Sequence, residues 1–251
     1  MLNNKKLKNT NWRSRLHDLA RGNEEYAAFN KRIVNTGKEV IGVRVPDLRR
    51  LARQLAKTMA GADDFKRFLG EVDWRVFDEA MLAGLVLNAV KLSNEERIEL
   101  AKQYLAKADS WAEIDIFAEK KARFATAEYW QFAVESIQDD REFVARYGVI
   151  AMMSNFLDDT HIDKVFRHLR QLKNDAYYVK MACAWLYATA AIDYYELTMT
   201  ELERPEIDPW TRRKAYQKML ESSRLSSQQK TAIRTARDSL PKNKKGLHAS
   251  N

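Results

Sequence analysis

Apolar residues recur along most of the chain with the period of an α-helix. In the run LRRLARQLA, residues 48–56, leucine or alanine occupies positions 48, 51, 52, 55 and 56. These positions form one stripe on a helical surface. Pro46 suits the first position of a helix and Asp47 suits its first turn. The pattern therefore predicts an amphipathic helix that begins here.

Three longer segments are strongly apolar and also predict helices. They cover residues 72–90, 143–157 and 175–192. The first of them is apolar on most sides, which is typical of a helix enclosed by its neighbours. We therefore expect it to be buried.

Polar residues mark where two further helices begin. Ser93 and Glu96 have the spacing of a capping box at the start of residues 93–107. Asp208 is the expected N-cap of a helix over residues 208–223. A last amphipathic helix is predicted just before Pro241.

Only the segment EVIGVRV, residues 39–45, alternates between apolar and polar residues as a strand does. One strand has no partner to pair with, so we interpret this segment as an extended connector. The remaining pattern, short helices closely joined, predicts an all-α protein.

The helices also recur at a regular distance. Trp74 and Asp78 form a W-x-x-x-D motif, which Trp111 and Asp115 repeat at an offset of 37 residues. Later apolar helices follow at a similar spacing. This period is typical of helical pairs that stack into a curved solenoid. We predict one such domain over residues 1–240.

Charge divides the chain into three parts. Residues 1–60 hold 14 Lys or Arg and 5 Asp or Glu, residues 61–204 hold 18 and 26, and residues 205–251 hold 11 and 4. The final residues, 241–251, are expected to form a flexible basic tail. Basic residues that displace counterions from phosphates bind nucleic acid of any sequence. The two basic ends favour a polyanionic partner. The alternative is that the net charge only keeps copies of the protein from associating with one another.

Several common classes of protein are excluded. The chain has one cysteine, Cys183, and therefore no internal disulfide framework or cysteine-based zinc site. It has no glycine-rich phosphate loop, H-E-x-x-H or G-x-S-x-G motif. No apolar run is long enough to span a bilayer, and the N-terminus lacks the apolar core of a secretory signal. We expect a soluble protein in a reducing, cytoplasmic setting.

Trp111 and Asp115 form the first candidate site. They are four residues apart, so they share one face of a helix. Burying an ionised aspartate is costly unless the carboxylate is paired. A carboxylate beside an indole on a half-apolar face therefore points to a function. The alternative is that Asp115 caps a helix or pairs at the surface.

Arg146 and Trp185 are further candidates, both on strongly apolar helices. Arg146 can bind a phosphate through two hydrogen bonds, or it can pair with Asp140 or Glu142. Small residues around Trp185 leave space beside its ring. The alternative interpretation is that Trp185 is a core tryptophan without a functional role. Two tryptophans and an aspartate on repeating helices would form a box that suits a cation, because indole faces attract positive charge.

Four segments of the chain carry a resemblance to a known family. They are IGVRVPDLRRLAR at 41–53, SWAEIDIFA at 110–118, FVARYGVIAMM at 143–153 and YYVKMACAWLYAT at 177–189. Over roughly residues 12–240 the sequence resembles the AlkD-like DNA alkylation repair family, the HEAT-like-repeat DNA glycosylases. The resemblance implies a solenoid of stacked antiparallel HEAT-like helix pairs, with a basic concave face that holds duplex DNA.

The resemblance also implies a role for each candidate. The lesion-facing tryptophans of the family match Trp111 and Trp185, its catalytic aspartate matches Asp115, and its phosphate-contacting arginine matches Arg146. The implied reaction is excision of cationic N3- and N7-alkylpurines from duplex DNA, without metal or cofactor. The N-glycosidic bond is hydrolysed while the lesion stays in the base stack.

Basic helices at 44–57 and 212–237 are expected to contact further phosphates. Such contacts set the position of DNA without reading its sequence. The expected partner is double-stranded DNA, bound by a monomer at the nucleoid in the cytoplasm and not at a membrane. The candidate arginines are Arg44, Arg49, Arg50, Arg53, Arg212 and Arg213.

The segment around Trp185 departs from the active pattern of the family. It lacks the glycine before the tryptophan and the charged residue shortly after it. This version resembles a less characterised branch, some of whose members bind DNA or branched DNA without excising a base. A non-catalytic binder of damaged or branched DNA is therefore the alternative function. A helical scaffold that binds another protein on its concave face is a third.

Overall fold

A computed structural model describes residues 12–120 and 122–241, and this part of the chain is helical almost throughout. In chain order the helices are α1 Trp12–Ala20, α2 Glu24–Val34, α3 Val45–Ala56, α4 Ala62–Glu71, α5 Phe77–Leu87, α6 Asn94–Leu105, α7 Trp111–Phe117, α8 Ala127–Ile137, α9 Glu142–Asn155, α10 Ile162–Gln171, α11 Tyr177–Ala190, α12 Tyr195–Leu202, α13 Pro209–Glu221 and α14 Ser227–Ser239. A short 3-10 turn, Ala122–Phe124, lies between α7 and α8. The described residues form no strand, so the predicted all-α class is confirmed. Apart from Pro241, the predicted basic tail lies outside the described residues.

The helix starts predicted from polar residues are confirmed. The Ser93 hydroxyl accepts a hydrogen bond from the Glu96 amide at 3.2 Å, and the Glu96 carboxylate accepts one from the Ser93 amide at 2.9 Å. This reciprocal capping box begins α6. The Asp208 carboxylate accepts a hydrogen bond from the Thr211 amide at 2.8 Å and caps α13.

The segment between α2 and α3 is an extended connector, as predicted. Glu39 forms an isolated parallel bridge with Val76. The amides of Ile41 and Val43 donate to the Asp78 carboxylate at 2.9 and 2.7 Å. Asp78 therefore has a structural role, since it holds the connector against the start of α5.

The two W-x-x-x-D motifs are not structurally equivalent. Trp74 lies in the turn before α5, so Trp74 and Asp78 do not share one helix. Trp111 is the first residue of α7, and Asp115 lies within the same helix. Only the second motif places its tryptophan and aspartate on one helical face.

The chain divides into two compact units, one up to Asn155 and one from Phe156. The predicted single domain over residues 1–240 spans both units and stays a prediction. In the first unit, α3 packs against α5, α5 against α7, and α7 against α9. Helix α6 packs against α5 and α8, and α8 packs against α9. Alternate helices therefore lie side by side. Every residue of α5 is buried, as predicted for this segment.

The second unit is built around α11. This helix packs against α12 and α13, and α13 packs against α14. Val179, Ala182 and Leu186 are fully buried on α11, and they form part of the core of this unit.

Helices α8 and α9 approach each other closely at Gly148. A Cβ at this position would lie 2.5 Å from the Ile137 amide nitrogen and 2.8 Å from the Ala133 carbonyl oxygen. These are backbone atoms, which cannot move aside as a flexible side chain does. The packing of the two helices therefore requires glycine here.

Replacing Gly148 with alanine should destabilise the protein by about 1–3 kcal/mol, because α8 and α9 must separate. Urea unfolding of Gly148→Ala checks this value. The control is Gly70→Ala on α4, where an added Cβ meets no atom within 4 Å. That change should stabilise the helix by about 0.5–1 kcal/mol. Equal stability of the two variants would contradict the close approach.

Candidate functional site

Helix α7 carries two of the predicted site residues and is only seven residues long. The Ser110 hydroxyl caps it by accepting a hydrogen bond from the Ala112 amide at 3.2 Å. A helix of this length is not stable by itself, so tertiary contacts determine where it lies. Trp111 and Asp115 are therefore positioned by what α7 packs against, namely α5 and α9.

Asp115 and Arg146 are bonded to each other. Arg146, on α9, donates from Nε to Oδ1 of Asp115 at 3.0 Å and from Nη2 to Oδ2 at 2.8 Å. The arginine side chain is 4% exposed and that of the aspartate 17%. Sequence reasoning chose both residues but did not pair them, since it considered Asp140 and Glu142 as the partners of Arg146.

The bidentate contact fixes the orientation of the Asp115 carboxylate. Charge-assisted pairs of this geometry are both stronger and more directional than single hydrogen bonds. A carboxylate has about four lone-pair positions, and the two bonds from Arg146 use two of them. The pair alone therefore does not exhaust the capacity of Asp115 to accept further hydrogen bonds.

Trp111 is fixed at one edge. Its indole Nε1 donates to the Ile33 carbonyl oxygen at 3.1 Å, in the last turn of α2. The Ser110 hydroxyl donates to the neighbouring Val34 carbonyl at 2.9 Å. The end of α2 thus holds the start of α7.

A buried ion pair joins Glu113 of α7 to Lys38 in the segment after α2. The Lys38 ammonium contacts the Glu113 carboxylate at 2.5 Å, and it also donates to the Lys107 carbonyl at 3.0 Å. It lies 3.4 Å from Asp109, whose carboxylate accepts a 2.6 Å hydrogen bond from the Thr36 hydroxyl. These contacts join the segment after α2 to the loop before α7.

Sequence reasoning missed Lys38 and Glu113. The Glu113 side chain is fully buried, and burial raises the pKa of its carboxyl to about 7 although Lys38 opposes that change. The only sequence signal was a charged residue among the apolar residues of a short helix. Nothing in that pattern identifies a partner 75 residues away.

Trp185 lies in the second compact unit, on α11. Its side chain is 39% exposed, whereas Ala182, Cys183 and Ala184 beside it are buried. Trp185 is therefore not the core tryptophan of the alternative interpretation. The other three site residues belong to the first unit, so the box with two aromatic walls stays a prediction.

The arginines of α3 and its N-cap project from the first unit. Arg49 pairs with Glu119, just beyond α7, at 2.6 Å, and Arg50 pairs with Asp47 on its own helix. Arg53 is exposed.

Arg44 is also exposed, and its guanidinium lies 3.8 Å from the centroid of the Tyr26 ring. Contact of Arg44, Arg49, Arg50 and Arg53 with DNA stays a prediction.

Arg212 and Arg213 have structural contacts in the second unit. Arg212 donates to the Arg204 and Ile207 carbonyls at 2.6 and 3.3 Å, and Arg213 donates to the Pro241 carbonyl at 2.8 Å. Both guanidinium groups therefore hold backbone segments against α13. A phosphate contact by either residue stays a prediction.

Residues 15–219 match the model of a protein family described as DNA alkylation repair enzyme. The match covers most of the chain, so the chain belongs to the AlkD-like DNA alkylation repair enzyme family. The resemblance inferred from the sequence is confirmed. A search of curated proteins found no significant match.

Family membership supports a role in alkylation repair and an interaction with DNA. Within residues 12–120 and 122–241, no helix is long and apolar enough to cross a membrane. No three His, Cys, Asp or Glu side chains of these residues are grouped as metal ligands would be.

The buried carboxyl of Glu113 predicts a pH-dependent stability. Its folded pKa of about 7 lies above its ordinary value of 4.5, so protonation stabilises the folded state. That contribution is complete below about pH 4.5 and is lost as the pH rises through 7. Relative to Glu113→Gln, the wild type should lose roughly 3 kcal/mol of stability over this range.

Urea unfolding of both proteins at a series of pH values measures the difference. If the two stabilities change in parallel between the two pH limits, the carboxyl does not titrate as its burial requires.

Proposed function

We propose that the protein is a DNA glycosylase that excises cationic N3- and N7-alkylpurines from duplex DNA. The observation that carries this proposal is the Asp115 carboxylate, oriented by a bidentate contact with Arg146 and placed on one helical face with Trp111. A fixed carboxylate beside an indole suits a reaction in which positive charge develops. Membership of the alkylation repair family supports the same reaction.

The chemistry requires little from the protein beyond electrostatics. An alkylated purine is already cationic, so the base leaves as a neutral molecule without acid catalysis. As the bond from C1′ to the base nitrogen breaks, its electron pair goes to the base and positive charge moves to the deoxyribose. Asp115 stabilises this oxocarbenium ion and orients the water that adds to C1′, accepting one of its protons. In many enzymes, preorganised electrostatic stabilisation of this kind contributes more to catalysis than any other effect.

The two tryptophans hold the cationic base in this proposal. An indole face stabilises a desolvated cation by up to about 2 kcal/mol. The resemblance implies a solenoid of HEAT-like helix pairs with a basic concave face. We include that solenoid in the proposal. It allows the lesion to stay in the base stack.

Arginines anchor the DNA backbone in this proposal. Arg53 and Arg44 are exposed and contact phosphates directly. Arg146 orients Asp115 through its bidentate contact, and the phosphate contact that the resemblance implies for its guanidinium stays a prediction. The partner is double-stranded DNA, bound without sequence specificity by a monomer at the nucleoid in the cytoplasm.

Asp115→Asn should abolish release of 7-methylguanine and 3-methyladenine from methylated duplex DNA. The amide is neutral and cannot stabilise the oxocarbenium ion, whereas DNA affinity should change little because the backbone contacts remain. Base release measured by chromatography, beside binding measured by fluorescence anisotropy, checks both parts. Equal release by the wild type and the variant would remove Asp115 from the mechanism.

A second candidate is a binder of damaged or branched DNA that excises no base. The residue before Trp185 is Ala184, which is fully buried, where the active type has glycine. This candidate predicts no release by the wild type together with intact, salt-sensitive binding. A protein scaffold instead predicts weak DNA binding with little dependence on salt.

Arg53→Gln should weaken DNA binding and reduce its salt dependence. Loss of one phosphate contact lowers the slope of log K against log salt by about 0.9. The matched control is Arg67→Gln on α4, where Arg67 is exposed and pairs with Asp64 at 3.2 Å. A slope that is unchanged in Arg53→Gln would exclude Arg53 from the DNA-binding face.

A further inference from the structure

The ion pair between Lys38 and Glu113 takes no part in the proposed reaction but lies directly behind the residues that do. Successive helix residues are rotated by about 100°. On α7, Asp115 therefore lies about 40° from Trp111, whereas Glu113 lies on the opposite side. The Glu113 side chain is fully buried, whereas that of Asp115 is 17% exposed.

The contacts of Lys38 and Glu113 restrain the position of α7. The Lys38 ammonium has three donors, and Glu113, the Lys107 carbonyl and Asp109 all lie within ion-pair or hydrogen-bond distance of it. The second oxygen of Glu113 accepts a hydrogen bond from the Asp109 amide at 3.0 Å. The Tyr104 hydroxyl, on α6, donates to the Glu113 carbonyl at 3.3 Å. Each contact has a direction, and together they allow one placement of α7.

Stability alone does not account for this arrangement. A well-packed apolar pair of similar volume often stabilises a protein as much as a buried ion pair does, because both charges lose their hydration. Apolar side chains, however, can slide along each other. A directional pair restrains position more closely, and the residues whose position it would restrain here are Trp111 and Asp115 on the same helix.

We propose that Glu113, paired with Lys38, is a positioning residue that holds α7 where Trp111 and Asp115 meet the substrate. The proposal rests on the proposed function. Glu113 contacts neither DNA nor the reacting atoms, and it acts through the backbone of α7. A displacement of about 1 Å in a reacting group lowers a rate by about 100-fold, so a loosened α7 should cost catalysis more than binding.

The test compares Glu113→Gln with a matched control, Glu79→Gln. Glu79 is also buried, pairs with Arg13 on α1 at 2.6 Å, and lies on α5. Both changes remove a buried carboxylate from an ion pair. Single-turnover base release and DNA affinity are measured above pH 7, where the Glu113 carboxyl is ionised, and at a temperature where circular dichroism shows both variants folded.

Glu113→Gln should lower the rate of base release by roughly 10- to 100-fold with DNA affinity unchanged. Glu79→Gln should leave both unchanged although it also removes a buried carboxylate from an ion pair. The proposal is overturned if Glu113→Gln reacts at the wild-type rate, or if both variants lose the same fraction of the rate.

A double variant separates position from stability. Lys38→Met with Glu113→Leu removes both charges and replaces them with apolar volume. It should fold at least as stably as Glu113→Gln, but the rate should stay low because the directional contacts are absent. Base release at the wild-type rate in this double variant would show that the pair is only structural.

Hydrogen exchange tests the same proposal without any catalysis. Amides of residues 111–117 should exchange faster in Glu113→Gln than in the wild type, and at the wild-type rate in Glu79→Gln. If the wild type releases no base, the proposed function fails and this measurement still decides the role of Glu113. Unchanged exchange in Glu113→Gln would then overturn the positioning role.

Discussion

The short length of α7 is the constraint on which the candidate site depends. Seven residues make too few internal hydrogen bonds to fix a helix in place. Charged contacts hold it instead from two sides. Arg146 binds the Asp115 carboxylate on one side of α7, and Lys38 binds the Glu113 carboxylate on the opposite side. The orientation of the aspartate therefore depends on residues that lie far away in the sequence.

The rest of the first unit supplies those contacts. Helix α9 carries Arg146, which binds Asp115. The position of α9 depends in turn on its close packing against α8 at Gly148. The end of α2 accepts the hydrogen bond from Trp111, and the connector after it carries Lys38. Packing against the neighbouring helices therefore fixes the position of α7 and of its site residues.

Local features of the fold followed from the sequence, because periodicity and caps act within a few residues. The helix at α3, the capping box of Ser93 and the shared face of Trp111 and Asp115 are of this kind. The pairing of Asp115 with Arg146 did not follow, because the two residues are 31 positions apart and all of α8 lies between them. Lys38 and Glu113 were missed for the same reason. Only packing reveals which buried charges face each other.

The most direct test of the proposed site is a crystal structure of the protein with duplex DNA that contains a stable cationic alkylpurine analogue. We expect the Asp115 carboxylate to face C1′ of the lesion nucleotide, with Trp111 beside the lesion. We also expect Arg53 to contact a phosphate. DNA bound on another surface, with α7 remote from the lesion, would contradict the role proposed for this helix.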